Sequence, residues 1–291
     1  MMSNNSKEVV FISGGTSGLG LQIAQHFVNS GKSVIFCGRS EEAVKFTTEL
    51  LKNISSREQL ISGICNDVSN RGSTIEMISK LHELEICIDV LICNAGVIGP
   101  IDKFLDNDQK DWEDAFNINL YGTLNLVLEV LPSMISRKKG KIIHISGGGA
   151  TAPLFGMSSY AASKAAAVRF IETLALEYQD SGVSFNSVAP GMLKTKLLDQ
   201  MLDAGPDRVG ANLFSKSLAK AEGSIDTSPQ AIKLIDFLAS EDSVGITGKL
   251  ISAEWDNWIK WPSQLEEIVD SDVYTLRRIT GRDRGQEWGD I

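Results

Sequence analysis

The sequence predicts one α/β domain in which helices cover both faces of a doubly wound parallel sheet, giving three layers. Short apolar runs of strand length alternate with segments of helical period over most of the 291 residues. These runs are too uniformly apolar for strands with one face in solvent, so the sheet is expected to be buried on both sides. No internal repeat and no linker rich in Pro, Gly or Ser divides this core.

The predicted elements follow one another as strand, helix, strand. The strands are expected at residues 9–12, 33–37, 60–65, 89–93, 141–145, 183–188 and 249–251. The helices are expected at 18–30, 41–52, 72–82, 108–131, 158–179 and 228–238. Gly31 and Pro132 are expected to end the first and fourth helices, and Ser228-Pro229 supplies an N-cap and a first-turn proline for the last. Right-handed crossovers then place a ligand crevice at the carboxyl ends of the strands.

Composition and charge exclude several classes of protein. The net charge is −9, from 28 basic and 37 acidic residues, and no basic cluster offsets the repulsion of a nucleic-acid backbone. No apolar run approaches the roughly 18 residues of a membrane helix, and the N-terminus lacks the apolar core of a signal peptide. The four cysteines form no CxxC pair. We therefore expect a cytoplasmic protein with no nucleic-acid or membrane partner, no disulfide and no metal site.

The C-terminal segment departs from this pattern. Four of the five tryptophans lie after residue 253, namely Trp255, Trp258, Trp261 and Trp288. Disordered tails are poor in aromatic residues, so an ordered extension is expected here. The predicted organisation is a single domain over residues 1–253 and an extension over 254–291. That extension packs on its own core, docks on a neighbouring subunit or closes over the crevice.

A glycine-rich segment joins the first strand to the first helix. Backbone N–H groups and the helix dipole at such a turn bind a pyrophosphate, as in the Rossmann-type dinucleotide site. The residues expected to contact the cofactor here are Gly14, Thr16, Ser17, Gly18, Leu19 and Gly20. The second strand is followed by Arg39-Ser40 in place of an acidic residue that would repel a 2′-phosphate. NADP(H) is therefore favoured, and NAD(H) stays possible because an arginine can also stack on adenine.

Tyr160 and Lys164 lie four residues apart near the start of a predicted helix, so their side chains project from one face. A free tyrosine has a pKa of about 10, and lowering it by about 3 units needs roughly 4 kcal/mol. The Lys164 ammonium and an oxidised nicotinamide are suitable sources of that energy. The pair is therefore a candidate general acid and base.

With this pair the chain resembles the short-chain dehydrogenase/reductase family from about residue 7 to residue 253. The matching features are the glycine loop with Ser13 in place of Thr, Asn94-Ala95-Gly96, Asn119, Tyr160 with Lys164, and Pro190-Gly191 with Thr195. The resemblance implies a nicotinamide-dependent oxidoreductase that interconverts a ketone and a secondary alcohol. It also implies a homodimer or homotetramer built partly by pairing the two long helices.

The resemblance assigns a role to each matching residue. Tyr160 would be the acid in reduction and the base in oxidation, Lys164 would hold the nicotinamide ribose, and Asn119 would position a relay water. Residues that would line the cofactor are Asn94, Ala95 and Gly96 on the adenosine and ribose side, Asp67 and Val68 at the adenine, Thr195 at the carboxamide, and Pro190 with Gly191 nearby.

One position departs from the family pattern. The serine that polarises the substrate usually precedes the tyrosine by 13 residues, where this chain has Gly147. Ser146 is one residue earlier and would face the other side of a regular strand. Three glycines in a row make a turn easy there, so Ser146 is the hypothesis. A backbone N–H of the glycine run, Ser158 and Ser159 are the competing donors.

The substrate and the activity itself leave alternatives open. Residues 196–227 occupy the place of the family's substrate loop and mix apolar with polar side chains. Such a segment suits a 3-oxoacyl thioester, a sugar or a specialised metabolite. The alternative from another class is a catalytically inactive nucleotide-binding scaffold or redox sensor, which the missing serine favours and the intact Tyr160 and Lys164 oppose.

Overall fold

The computed structural model describes residues 7–223, 228–269 and 271–286. Its centre is a seven-stranded sheet in the order β3-β2-β1-β4-β5-β6-β7, and every neighbouring pair is parallel. The strands are β1 (Val9–Ser13), β2 (Ser33–Gly38), β3 (Ile61–Cys65), β4 (Val90–Cys93), β5 (Gly140–Ile145), β6 (Val183–Ala189) and β7 (Lys249–Ser252). The predicted fold class is confirmed. The strand order reverses between β1 and β4, which opens a crevice at their carboxyl ends.

Helices flank the sheet on both faces. They are α1 (Gly18–Asn29), α2 (Glu41–Ile54), α3 (Arg71–Glu83), α4 (Gln109–Phe116), α5 (Gly122–Arg137), α6 (Ser158–Glu177), α7 (Lys196–Ala204), α8 (Pro206–Val209), α9 (Ala211–Glu222), α10 (Ser228–Ala239) and α11 (Leu265–Val269). A π-turn over Asn117–Tyr121 joins α4 to α5. Short 3₁₀ turns lie at Phe104–Asp106, Gly148–Ala150, Glu241–Ser243, Trp258–Ser263 and Arg282–Arg284.

The fourth predicted helix does not end at Pro132, and that expectation is wrong. The helix continues for another turn and ends at Arg137, where Lys138 adopts a left-handed conformation. Proline removes one helical hydrogen bond, but Leu131 and Met134 are buried in the apolar layer and hold the last turn against the sheet. By length and composition the continuous helix Gln109–Arg137 could cross a membrane, but half of its most apolar window is buried inside the fold.

Two apolar layers form the core, one on each side of the sheet. Val10 and Ile12 of β1 face α1 and α10, whereas Phe11 between them faces α3, α5 and α6. All three side chains are completely buried. The sheet is therefore covered on both faces along β1, and only the ends of the strands are left to form a site.

The described part of the C-terminal extension contacts the core of its own chain. Trp258 and Trp261 are 8% and 2% exposed, and the Trp258 ring lies 5.7 Å from that of Phe237 in α10. Leu250 of β7 donates its N–H to the Tyr274 carbonyl over 2.7 Å, so the extension also lies along the outer edge of β7. Trp288 lies outside the described residues. The division of the chain at residue 253 and any docking on a neighbouring subunit stay predictions.

Candidate active site

A cleft of about 1500 Å³ lies at the carboxyl ends of the strands. Most of the residues singled out from the sequence line it, although they come from segments far apart in the chain. They are Gly14, Thr16, Ser17, Gly18, Leu19, Gly20, Arg39, Asp67, Val68, Asn94, Ala95, Gly96, Ser146, Tyr160, Lys164, Pro190, Gly191 and Thr195. Ser40 and Asn119 do not.

The glycine loop is held by close contacts between backbone segments. Gly14 has φ +68°, and a Cβ at Gly20 would lie 2.2 Å from the Gly14 carbonyl oxygen. The Asn94 side-chain amide donates to the carbonyls of Ser13 (3.0 Å) and Gly14 (3.1 Å). The loop therefore exposes main chain to the cleft at the N-terminus of α1, which is the geometry that holds a pyrophosphate.

The edge of the cleft beyond β2 carries Arg39, whose side chain is exposed. The carboxylate of Asp67 faces back to its own turn, where it accepts from the N–H (3.0 Å) and hydroxyl (2.7 Å) of Ser69. Ser40 is turned away from the cleft because its hydroxyl accepts from the Ala43 N–H and caps α2. Of the pair Arg39-Ser40, only the arginine faces the region where an adenosine ribose would lie.

Tyr160 and Lys164 lie together at the start of α6, as their spacing predicts. The Lys164 ammonium is 5.9 Å from the centre of the Tyr160 ring and donates to the Ile145 carbonyl over 2.7 Å. Burial lowers the pKa of Lys164 to about 8. Burial also raises the pKa of Tyr160 to about 12. Base catalysis needs a lowered tyrosine pKa. In the protein alone, burial shifts the pKa of Tyr160 in the opposite direction.

Gly147 lies against the hydroxyl of Tyr160. A Cβ at Gly147 would be 2.2 Å from the Tyr160 Oη, and one at Gly149 would be 3.2 Å from the Tyr160 Cδ1. The phenol therefore fills the space that a side chain at position 147 would need. The three glycines in a row predict an easy turn, and the structure shows in addition that two of them make room for the Tyr160 side chain.

The other candidate donors differ in their position relative to the cleft. Ser146 lines the cleft, and its hydroxyl is buried with no hydrogen-bond partner among the described residues. Its N–H donates to the Val188 carbonyl over 2.8 Å, so the ladder between β5 and β6 continues through it. Ser158 instead accepts from the Trp112 ring N–H over 2.9 Å, and Ser159 is fully buried near Gly99. The last two do not line the cleft.

Asn119 lies in the π-turn, fully buried behind the cleft. Its side chain accepts from the Val97 N–H (2.8 Å) and donates to the Val97 carbonyl and the Ser163 hydroxyl, both over 2.9 Å. A Cβ at Gly96 would lie 3.2 Å from the Asn119 Oδ1 and 3.3 Å from the Lys164 Nζ. Asn119 is therefore close to the lysine, as expected, with its amide occupied by protein groups.

Two groups of cleft residues were not singled out individually from the sequence. They lie in the expected substrate loop at residues 196–227 and in the extension, for which closure over the crevice was one of three alternatives. One is a face of α9 that includes Lys216 and Lys220. The other is part of the C-terminal extension, namely Glu254, Trp255, Asp256, Tyr274 and Thr275. The tryptophan-rich composition signalled that the extension is ordered, but no local pattern indicated which of its residues reach the cleft.

Comparison with known proteins identifies the family. The sequence model described as short chain dehydrogenase matches residues 8–204, about two thirds of the chain. The chain belongs to the short-chain dehydrogenase/reductase family. It is therefore an NAD(P)-dependent dehydrogenase/reductase that acts on a small molecule, which argues against the alternative of an inactive binding protein.

Three individual proteins illustrate the likeness. The 3-oxoacyl-[acyl-carrier-protein] reductase FabG of Buchnera aphidicola is 30% identical over 246 residues, which cover 84% of this chain and 95% of that protein. The structure of an actinorhodin polyketide ketoreductase variant with NADPH has a TM-score of 0.77 at 25% identity, covering 86% and 97%. The NAD⁺-bound xylitol dehydrogenase has a TM-score of 0.76 at 21% identity, covering 86% and 98%. Solved structures of this fold thus include both an NADPH-bound and an NAD⁺-bound protein.

Proposed function

We propose that the protein is an NADP(H)-dependent oxidoreductase that interconverts a ketone and a secondary alcohol, with Tyr160 and Lys164 as its acid–base pair. The observation that carries the proposal is the position of the Tyr160 hydroxyl. It lies in the cleft against Gly147, one helical turn from a buried ammonium. A phenol and a lysine in this arrangement suit proton transfer to a carbonyl oxygen.

The residues of the cleft fit a nicotinamide dinucleotide. The backbone of the glycine loop and the N-terminus of α1 would hold the pyrophosphate. The loop's glycines have no side chain, so they leave room for the phosphates beside the main chain. Asn94, Ala95 and Gly96 would line the adenosine and ribose side, and Thr195 with Pro190 would lie near the carboxamide. When bound, the nicotinamide supplies or accepts the hydride.

Three groups of the chain would handle the proton and the carbonyl. Tyr160 would donate its phenolic proton to the carbonyl oxygen in reduction and take it back in oxidation. Lys164, whose pKa near 8 leaves it mostly charged at pH 7, would favour the phenolate and offset part of the effect of burial. Polarisation of the carbonyl falls to a backbone N–H of the glycine run or to the Ser146 hydroxyl, since neither Ser158 nor Ser159 lines the cleft.

Arg39 supports a preference for NADP(H). Its exposed guanidinium at the edge of the cleft can pair with a 2′-phosphate, and the Asp67 carboxylate is occupied by Ser69. Replacement of Arg39 by Gln is expected to lower kcat/KM for NADPH about tenfold and to change that for NADH by less than threefold. An equal loss with both cofactors would contradict the NADP(H) assignment.

A 3-oxoacyl thioester is the substrate class that we put first, with a sugar or a specialised metabolite after it. The likeness to a 3-oxoacyl reductase and to a polyketide ketoreductase supports this order. So does an apolar wall beside Tyr160 that can receive an acyl chain. It is formed by Ile98, Leu154, Met157, Leu197, Met201 and Leu213.

A homodimer or homotetramer through the long helices is also proposed. Tyr121, Leu128 and Leu176 on these helices are 48%, 47% and 72% exposed in the single chain, and apolar side chains in such number suit a subunit interface. Light scattering in solution measures the state directly. A monomer at micromolar concentration would contradict this part of the proposal.

The activity is tested by mixing the protein with NADPH and a panel of 3-oxoacyl thioesters, keto sugars and simple ketones. Loss of the absorbance of the reduced cofactor with at least one member is expected, and faster turnover with 3-oxoacyl thioesters than with the sugars supports the order given above. Binding of NADPH without oxidation by any member of the panel would contradict the proposed reaction.

A further inference from the structure

Helix α9 presents one face to the cleft, and that face is basic. Leu213, Lys216, Ala219 and Lys220 all line the cleft, and their spacing of three, three and one residues places them on one side of a helix. We call this set the cleft face of α9. It combines two apolar residues with two ammonium groups that nothing in the proposed hydride transfer uses.

Contacts at both ends fix the direction in which this face points. Next to its first turn, a Cβ at Gly210 would lie 3.3 Å from the Phe155 Cβ, so α9 begins against the loop between β5 and α6. At its other end Lys194 donates to the carbonyls of Ala221 (2.9 Å) and Gly223 (2.5 Å). The helix therefore crosses the cleft from the substrate side to the segment that follows β6.

The order of residues along the face places Lys216 one turn from the apolar cluster that contains Tyr160. Leu213 packs in the apolar cluster that also contains Tyr160 and Met157, so it lies next to the reacting centre. Lys216 is about 4.5 Å further along the helix axis and Lys220 about 10 Å from Leu213. The C-terminal end of α9 contacts Lys194, and the next residue, Thr195, lies beside Gly18 of the glycine loop. Lys216 is therefore farther than Lys220 from the place where the cofactor pyrophosphate would lie.

No described residue neutralises the charge of Lys216. Its side chain is exposed and makes no hydrogen bond or ion pair with the residues that the structure describes. The three carboxylates that line the cleft lie next to other groups: Asp67 accepts from Ser69, Asp256 accepts from the Ser252 N–H, and Glu254 lies next to Gly191. In a chain with a net charge of −9, an unpaired ammonium at the mouth of the cleft favours an anionic ligand.

We propose that the cleft face of α9 binds a phosphate ester of the substrate, with Lys216 as the main contact and Lys220 one turn beyond it. The inference rests on the proposed function, because it assigns the part of the substrate that lies beyond the reacting carbonyl. A phosphate suits the two lysines because its oxygens accept several charge-assisted hydrogen bonds at once. Coenzyme A thioesters and nucleotide-linked sugars share this group.

The test compares two thioesters with the same reacting centre. Acetoacetyl-coenzyme A carries phosphates, whereas the N-acetylcysteamine thioester of acetoacetate carries none. Lys216→Gln is expected to lower kcat/KM about five- to tenfold for the first and less than twofold for the second. Lys216→Arg, which keeps the charge, should recover most of the loss. Lys45→Gln removes an exposed lysine of α2 outside the cleft and controls for the change in net charge.

Two results would overturn the inference while leaving the proposed reaction in place. One is an equal loss with both thioesters. The other is a fivefold weaker binding of NADPH to Lys216→Gln, which would assign the lysine to the cofactor. If the wild type reduces neither thioester, calorimetry with saturating NADPH decides instead. Coenzyme A must then bind the wild type at least fivefold more tightly than Lys216→Gln, with no such difference for pantetheine, or the inference fails.

Discussion

The two halves of the cleft are built in different ways. In the cofactor half, around β1 and β4, backbone atoms meet backbone atoms: Gly20 lies against the Gly14 carbonyl, and Asn94 clamps the loop through two carbonyls. In the substrate half, side chains from β5, α9 and the extension share one space. Where main chains must approach closely only glycine fits, so the residue type reveals the geometry. Where side chains share space, several arrangements satisfy the same sequence.

The largest effect that can break this comparison is expected from Gly20→Ala. Its Cβ would collide with the Gly14 carbonyl oxygen, so the loop must shift and the Kd for NADPH is expected to rise about 100-fold. Gly72→Ala in α3 is the control, because its nearest neighbour would be the Asn70 Oδ1 at 3.4 Å. Titration of intrinsic fluorescence with NADPH measures both. Wild-type binding by Gly20→Ala would mean that the loop is not rigid.

In the substrate half the matching variants are Gly147→Ala and Gly148→Ala. The first places a methyl group 2.2 Å from the Tyr160 Oη and must displace the phenol, whereas the second meets nothing within 4 Å. We expect kcat to fall about 10- to 100-fold in Gly147→Ala and less than twofold in Gly148→Ala, with the Kd for NADPH kept in both.

Gly147→Ser sharpens the same point, because it restores the residue type that the family pattern has at this position. We predict a loss of activity similar to that of Gly147→Ala, since the serine Cβ would also lie 2.2 Å from the Tyr160 Oη. A gain in kcat with Gly147→Ser would show that Tyr160 can move aside, and that the space at position 147 is not reserved for the phenol.

A smaller effect concerns stability and the charge of Lys164. Burial holds its pKa near 8 in the folded protein, against 10.5 ordinarily. The unfolded chain therefore binds more protons between about pH 8 and pH 10.5, and this residue's contribution to stability rises with pH across that window. At pH 7 the buried ammonium is destabilising. Lys164→Met is thus expected to raise the free energy of unfolding by about 1–3 kcal/mol at pH 7.

Urea unfolding at pH 7 and pH 10 measures this effect. The advantage of Lys164→Met should shrink at the higher pH, where the wild-type lysine is neutral in the folded state. The raised pKa of Tyr160 acts in the opposite sense above about pH 10, because the folded protein then keeps a proton that the unfolded chain loses. The wild type and Lys164→Met both contain Tyr160, so this effect does not change the difference in stability between them. A less stable Lys164→Met at pH 7 would contradict the cost assigned to the buried charge.

Much of the fold follows from periodicity, and most strand positions could be predicted to within a residue. The strands are continuous apolar runs, which few other structures accommodate. The helix end predicted at Pro132 was wrong because the free energy lost with one hydrogen bond is small compared with that gained by burying Leu131 and Met134. A local rule for helix ends does not include this tertiary packing.

In the site, too, some features follow from local spacing and others depend on contacts between distant segments. The spacing of Tyr160 and Lys164 predicts their shared face, because helix geometry fixes it. The role of Gly147 was not predictable, since it depends on where a tyrosine 13 residues later places its hydroxyl. The hydrogen bonds of Asn119 to Val97 and the reach of α9 over the cleft depend on contacts between distant segments. No local pattern in the chain encodes these contacts.

The central claim is that one half of the cleft binds the cofactor and the other half carries the proton transfer at Tyr160. Tyr160→Phe tests this claim most directly. Tyr121→Phe, on the exposed face of the π-turn, is the matched control. The measurement is kcat for ketone reduction beside the Kd for NADPH in each protein. We predict a loss in kcat of at least about 1000-fold for Tyr160→Phe, a Kd within threefold of the wild type, and normal values for Tyr121→Phe. A Tyr160→Phe protein that turns over like the wild type would contradict the account.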